Sequence, residues 1–411
     1  MADASPSPTQ AGSPSPDGEG VFNPSAGFLN SEARRTLGAP TYSQTAPSTV
    51  DIPRDTVLKR MLLKMVSTFS VTYASGSPVY SKYGIFDRIC PTVEINVNGN
   101  RIIKSVKPWM VRMHNILLQG GGLPPRTVSP DSAAAFTTTR PKYTWMAGTI
   151  AYPATTRFSL FNESIELNFE NPFGYGGSRH MTELDLRDVA SAVIKFYWAP
   201  LTAVQDDSVA ATVTYGASSI TVTPQIIENR ARPRPQPGQT LFDYVESNFS
   251  RTYTGQARSQ QIDLQTGNYV MGLGIFCQNG DSSYTNQENL LTNIALKING
   301  SSAIQGPVSH ADLQDENIAR YGAMDISGIA DVASTIASTA DVHALRGFAL
   351  MSLIRNGNWN TALNSSRQAG VDSCKLEFDT PSSSGTDAAT YTNNLTVTLH
   401  QHEIRPFVYT R

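Results

Sequence analysis

A strand–turn–strand unit that occurs twice constrains this chain more than any other feature. The first copy is Val93-Glu94-Ile95-Asn96-Val97-Asn98-Gly99-Asn100-Arg101-Ile102-Ile103. The second is Ile294-Ala295-Leu296-Lys297-Ile298-Asn299-Gly300-Ser301-Ser302-Ala303-Ile304. In each, an alternating strand runs into an Asn-Gly turn and the start of a returning strand. Asn-Gly suits a tight type I′ hairpin because both central residues of that turn need positive φ. Each copy continues to a proline and a helix-compatible stretch, Pro108–Leu118 and Pro307–Tyr321. The turns lie 299 − 98 = 201 residues apart, about half the chain. Two similar β units in tandem point to a building block and away from a catalyst.

The 411 residues are enough for two domains and a sizeable core. A formal net charge of −2 gives a whole-molecule field that favours neither nucleic acid nor an anionic membrane. Charged residues make up 16% of the chain, against roughly 25% in ordinary soluble domains, and Ser, Thr, Asn and Gln fill the polar surface instead. That suits flanks covered by neighbours, where a buried unpaired charge is costly. Cys90, Cys277 and Cys374 are too few and too scattered for a disulfide framework, and no Cys/His spacing suggests zinc. With no apolar signal region and no run of ~20 apolar residues, the expectation is a soluble protein made in a reducing cytoplasm. The five Asn-x-Ser/Thr sequons, at Asn162, Asn248, Asn299, Asn364 and Asn394, are then chance occurrences.

Residues 1–50 are rich in Ser, Pro, Gly and Thr and are expected to form a flexible arm, either a free tail or one that orders against a neighbouring subunit. The arm lacks the basic run that nucleic-acid binding would require. Residues 51–228 read as a first β domain. Val57–Tyr73 and Ile85–Val97 are strand-like. A short helix with Trp109, Met110, Met113, Ile116 and Leu117 at helical spacing follows the first hairpin, ended by Gly120-Gly121-Gly122 and Pro124-Pro125. Phe158–Phe169 alternates, 178–190 reads as a short helix or ordered loop, Val193–Trp198 is an aromatic strand, and Val209–Thr223 holds two more alternating runs. Residues 229–240 contain Arg-Ala-Arg-Pro-Arg-Pro-Gln-Pro-Gly, an extended linker whose arginines otherwise offer phosphate contacts. Residues 241–411 read as the second β domain, with strands at Arg251–Leu264, Tyr269–Cys277, Leu290–Ile298, Phe348–Ile354, Cys374–Phe378 and Leu395–Leu399. Gly322–Ala344 reads as a long excursion, and Asn279-Gly280 and Asn356-Gly357 as further turns. Many short strands with frequent turn signals indicate sandwiches or jelly rolls.

This layout resembles the double jelly-roll major capsid proteins of tailless, membrane-containing bacteriophages of the tectivirus type, in the lineage of the adenovirus hexon. The residues that carry the resemblance are the Asn-Gly hairpin with Pro108-Trp109 and its helix, and the strand Ser164–Phe169. A loop-helix and Ala192–Trp198 follow that strand, and the unit recurs beyond a midpoint linker. The resemblance covers roughly residues 55–410 and implies an all-β fold of two tandem eight-stranded jelly rolls with short helices in loops. It further implies a homotrimer acting as a pseudo-hexagonal capsomer of an icosahedral virion. Such a capsomer contacts neighbouring capsomers and minor capsid or penton proteins around an internal membrane. The N-terminal arm would lie on the inner side of the shell, near that membrane or between capsomers, and no direct nucleic-acid binding is implied. A viral spike or a glycan-binding β-sandwich is the alternative, and a carbohydrate-active enzyme on a β-sandwich a third reading.

No catalytic or cofactor-binding residue is assigned. His400 and His402 share one face of a strand and could begin a metal site; Glu403 points the other way and no third ligand is apparent. Otherwise the two are polar residues on a solvent or interface face, and His114 and His310 near the helix-like segments are structural. Among carboxylates, Glu163 and Glu166 should face opposite ways. Glu166 and Glu170 share a face but lie about 13 Å apart along a strand, beyond the roughly 5–9.5 Å of glycosidase pairs. Solvated charges are expected at all three. Gly272-Leu273-Gly274 marks close packing or a bulge in a strand. Phe196-Tyr197-Trp198 offers outward stacking for bases or sugars, or core packing. No hydrolase elbow, phosphate loop or dinucleotide fingerprint occurs.

Overall fold

Both Asn-Gly pairs sit where the spacing places them. Asn98 and Gly99 have φ of 56° and 76°, and Asn299 and Gly300 have 51° and 77°. Opposite pairing of Val97 with Arg101, and of Ile298 with Ser302, leaves three residues in each loop, one more than a two-residue I′ hairpin. The computed structural model describes residues 32–75, 85–119, 126–128, 142–143, 157–174, 176–204, 212–215, 219–253, 257–279, 285–286, 291–300, 302–321, 347–354, 361–380 and 395–409. The expected Gly/Pro helix stop after Leu118, the excursion at 322–344, the turn at Asn356-Gly357 and residues 1–31 of the arm lie outside them.

The first half contains β1 (Glu32–Thr36), β2 (Ser48–Asp51), β3 (Val57–Ser75), α1 (Ile85–Ile89), β4 (Thr92–Val97), β5 (Arg101–Val106), α2 (Pro108–Gln119), β6 (Arg126–Val128), β7 (Lys142–Tyr143), β8 (Arg157–Asn168), β9 (Leu184–Asp185), β10 (Ala192–Tyr197), β11 (Thr212–Tyr215) and β12 (Ser219–Asn229). A 3-10 turn spans Gly176–Thr182. The second half contains β13 (Thr240–Tyr253), β14 (Ala257–Asp263), β15 (Tyr269–Asn279), β16 (Thr285–Asn286), β17 (Thr292–Ile298), β18 (Ser302–Val308), α3 (His310–Tyr321), β19 (Phe348–Ser352), β20 (Leu363–Asn364), β21 (Cys374–Thr380) and β22 (Leu395–Val408).

These strands make three sheets. One runs β1-β12-β3-β8-β6-β7, with β9 and β11 also on β3. A second runs β16-β15-β22-β13-β5-β4-β10-β2, with β19 and β20 also on β15. The third runs β14-β21-β17-β18. The first sheet and the β5-to-β2 part of the second enclose one core, in which Met61, Leu63, Ile95, Ile165, Leu167 and Phe196 are buried. The rest of the second sheet and the third enclose another around Leu273, Ile294, Leu296, Leu376, Phe378 and Leu399. Each half is therefore a two-sheet β lobe, and the fold is a double jelly roll with short helices between strands. Cys90, Cys277 and Cys374 are buried free thiols.

Several local readings change. Ile85–Ile89 is helical rather than strand. Phe86 and Ile89, three apart, both enter the core, and Cys90 N donates to Phe86 O at 2.8 Å. The single strand read at Arg251–Leu264 is two, β13 and β14, in different sheets. β13 also starts eleven residues earlier (251 − 240) and pairs along its length with β22, from Thr240↔Val408 to Tyr253↔Leu395. Its Asp243, Glu246 and Ser247 are buried, which breaks the apolar alternation by which strands are recognised.

Residues 32–50 of the expected flexible arm are ordered against this chain's own first lobe. β1 pairs with β12, β2 pairs with β10, and Leu37 and Tyr42 pack on the core. Lys59 bonds Glu32 at 2.8 Å and Arg35 bonds Glu228 at 2.7 Å. Few large apolar residues are needed because the ladder and ion pairs supply the contacts.

Candidate functional site

The junction between the lobes is the most elaborate part of the molecule. β5 of the first lobe and β13 of the second are parallel neighbours, but only Lys104↔Glu246 and Ser105↔Ser247 pair directly. Side chains extend this short ladder. The Arg101 guanidinium grips both oxygens of buried Asp243, Lys104 Nζ donates to Glu246, and Lys107 N donates to Asn248 Oδ1. Above it, Trp109, Met110, Met113, Ile116 and Leu117 of α2 pack with Tyr244, Met271, Phe276, Phe348, Leu350 and Ile404 in a third core cluster. The five α2 residues are those picked out by helical spacing. On another face Val111 enters the first lobe's core, so α2 is buried nearly all round between the lobes, its Arg112, His114 and Asn115 included.

Asn side chains lock the two equivalent helices. Asn115 of α2 donates to Glu166 O at 2.7 Å and accepts from Asn168 at 3.1 Å. Asn317 of α3 donates to Leu350 O and accepts from Leu350 N, both at 2.7 Å. Asn115 follows its hairpin Asn98 by 17 residues and Asn317 follows Asn299 by 18 (115 − 98; 317 − 299), so the internal repeat extends to how each helix is held.

His400 and His402 do share a face of β22, and that face is neither solvated nor empty of partners. Both rings are 0% exposed. His400 Nε2 lies 3.2 Å and His402 Nδ1 3.4 Å from Glu246 Oε1, and the Tyr244 hydroxyl lies 2.7 Å from His402 Nδ1. His114 of α2 stacks on His402 with centroids 3.8 Å apart, and His400 stacks on it at 4.2 Å. Glu403 takes the opposite face, where Asn268 and Gln401 donate to it. Burial alone would raise the Glu246 carboxyl, but Lys104 and the hydrogen bonds from His400 and His402 outweigh it and hold the group well below the carboxylate range. Burial pulls Lys104 down to about 8 against the attraction of Glu246, and it pulls His402, next to His400, down to about 3. His114 is likewise well below the imidazole range, through burial and then His402 and His400.

Donor atoms of His114, Glu246 and His402 lie within 4.8 Å of one another, so the third ligand missing from the sequence reading has candidates. Two features oppose a cation there. The His114 and His402 planes are 20° apart and stacked, which confines their in-plane lone pairs to near-parallel layers instead of aiming them at one centre. Lys104 already neutralises Glu246, so a dication would seal excess positive charge in a dry junction. No signal in the sequence links Lys104, His114 and Glu246 to His400; only the fold brings them together.

The carboxylates expected to be solvated are largely buried. Glu163 accepts from Phe86 N and Arg112, while Glu170 faces Lys59 at 3.5 Å. Glu166 points the other way from Glu163, toward Arg60 at 3.6 Å. His180 Nδ1 lies 2.8 Å from Glu170 and 3.0 Å from Glu183, and these hydrogen bonds raise it to about 9. Carrying a proton on that nitrogen, it serves the two carboxylates as a cation. Arg232 of the linker donates to the carbonyls of His180 and Glu183, and Arg187 donates to the carbonyls of Arg232 and Pro233. Arg232 is thus occupied internally rather than offered to phosphate. Phe196 is in the core and Trp198 packs against it and bonds Ser48, while Tyr197 stands half-buried on the outward face of β10, bonded to Glu94. Gly272 and Gly274 are both a bulge and a close approach. The β15 register shifts beside Gly272, and a Cβ on either glycine would meet the ring of Phe173 or Phe348 at 3.1 or 3.0 Å.

The outer sheet faces of the lobes differ. Leu62, Lys64 and Val66 of β3 stand opposite Gln225, Thr223 and Thr221 of β12, an almost neutral surface. The third sheet carries Lys375–Asp263 at 3.3 Å, Lys297–Glu377 at 2.6 Å and Asn293–Asp379 at 2.7 Å, a ladder satisfied within itself.

No family model and no curated protein sequence matches the chain. Among solved structures it is similar to the crystal structure of the STIV MCP, with TM-score 0.56 and 14% identity over 91% of this chain and 97% of that one. An atomic structure of Sulfolobus Turreted Icosahedral Virus gives TM-score 0.54 and 12% identity over 90% of each chain. The Faustovirus major capsid protein gives 0.52 and 10% over 92% and 90%. At such identities the likeness is one of fold, and it covers about nine-tenths of the chain: the chain is a double jelly roll of the architecture found in these viral capsid structures.

Proposed function

We propose that the chain is a major capsid protein whose work is assembly rather than catalysis. The observation that carries this reading is the fusion of two similar β lobes into one body through a buried seam, in a fold shared along nearly the whole chain with the STIV MCP. Three such chains present six similar lobes, a nearly hexagonal tile that closes a shell without six subunits per tile. The outer face of β3 and β12 suits lateral contact, because Lys64 is the one charge among its Leu62, Val66, Thr221, Thr223 and Gln225, and a neighbour need supply a single carboxylate to cover it. In this reading the homotrimer meets neighbouring capsomers and minor capsid or penton proteins in an icosahedral virion, and it is made in the host cytoplasm. Residues preceding β1 reach toward an internal membrane, and the shell does not bind the genome directly.

Native mass spectrometry of the purified chain, followed by electron microscopy, tests the proposal. The expected result is a stable trimer with interfaces above about 2,000 Å² and hexagonal capsomers in projection. A dilute, well-behaved monomer that never forms capsomers overturns it, and binding on a glycan array would move the assignment to a recognition module.

A further inference from the structure

The junction concentrates ionisable groups that its holding role does not require. Facing one another are His114 from α2, His400 and His402 from β22, Glu246 and Tyr244 from β13, and Lys104 from β5; Arg112, also on α2, is turned to Glu163 of the first lobe. With the imidazoles neutral, Glu246 and Lys104 balance. There is one carboxylate, already held by an ammonium, so each added proton is an uncompensated charge. It is sealed against a stacked ring at 3.8 or 4.2 Å. Among the described residues, Nε2 of His114 and of His402 has no hydrogen-bond partner, so neither ring has an acceptor there to stabilise a second N–H.

Where this charge sits decides its effect. His114 belongs to the first lobe and His402 to the second, and the backbone ladder between the lobes is two residue pairs long. The other histidine that acid reaches is His310, buried beside Ile275 and Gly347 in the second lobe and pulled by burial to about 4, so that lobe takes up one proton against the junction's two. Letting water between α2 and β22 hydrates both rings while the cores stay closed.

We propose that the lobe junction is an acid-triggered hinge: proton uptake by His114 and His402 parts α2 and β5 from β13 and β22 while each lobe remains folded. Both histidines are held below the ordinary imidazole value of 6.5 when closed, His402 at about 3. The open form therefore binds more protons in the intervening range. Closure is fully favoured above about pH 6.5 and is lost progressively as the pH falls toward 3. In the upper part of that window, where carboxylates stay ionised, two protons make the opening constant rise about 100-fold per pH unit. This inference concerns the isolated chain and does not depend on the coat-protein reading.

Hydrogen–deuterium exchange on the full chain between pH 7 and 4.5, corrected for the intrinsic rate, tests it. The expected result is that peptides from α2, β5 and the middle of β13 lose protection at a higher pH than peptides from β8 and β21. In His114→Phe, which keeps an aromatic ring in the stack, the opening constant should change about tenfold less per pH unit than in the parent. An unaltered slope in that variant overturns the proposal, as does simultaneous loss of protection in junction and lobes. If the variant does not fold, the exchange order in the parent decides alone.

Discussion

Lys104 shows how a single residue is committed by the fold. It sits in the middle of β5, 0% exposed, with its ammonium on Glu246 and 3.7 Å from the centre of the Tyr244 ring. Removing one partner of a buried pair leaves the other charged and dry, which costs about 3–5 kcal/mol, whereas neutralising both costs less. Urea unfolding should therefore find Lys104→Met destabilised by about that amount, and the Lys104→Met/Glu246→Gln double variant less destabilised than the single. Gly306 is committed in another way. Its φ is +104°, and a Cβ there would come 2.3 Å from Ile294 O. Gly306→Ala should cost about 3 kcal/mol or more in the same assay, through strain and backbone clash together. Little of this was legible beforehand. Alternation placed His400 and His402 on one face, but Lys104, His114 and Glu246 lie hundreds of residues from them or on other elements, and no local pattern joins them. The charged residues of β13 interrupt its apolar alternation, and only the fold sets Arg101 and Lys104 against Asp243 and Glu246.

Elements were more legible than their partners. The two hairpins, α2, β8 and β10 follow from turn chemistry and periodicity, which are local. The helix α1 was missed because five residues show less than two turns of helix, and the ordering of β1 and β2 because polar strands at a sheet edge carry no apolar signature. The 3-10 turn at Gly176–Thr182 offers a test at this scale. His180 is raised to about 9 by Glu170 and Glu183, so its protonated form is preferred in the fold. The stability it contributes is fully present below about pH 6.5 and is lost as the pH rises through about 9. The melting temperature of the parent should fall over that range, and His180→Gln should flatten the fall while leaving the acid limb, to which the buried His114, His402 and His310 contribute. The edge strands give a second test. Deletion through Asp51 removes β1, β2 and the Glu32 and Arg35 ion pairs, and should lower the melting temperature by about 6 °C or more, as expected for a loss of about 3 kcal/mol.

At the scale of the molecule, the duplication was visible in two Asn-Gly turns half a chain apart, and the fold extends it to matched helices and their Asn clamps. What the repeat does not encode is how the halves meet. The second sheet passes without interruption from β16 and β15 through β13 and β5 to β2, so it belongs to both lobes at once. The covalent link through residues 230–238 is therefore redundant with a non-covalent one. A chain nicked once within that stretch should run as a single species under native conditions and as two fragments in denaturant. The same logic extends to construction: the halves could be supplied as separate polypeptides, each bringing one side of the shared sheet, and would find their mutual orientation from strand register alone.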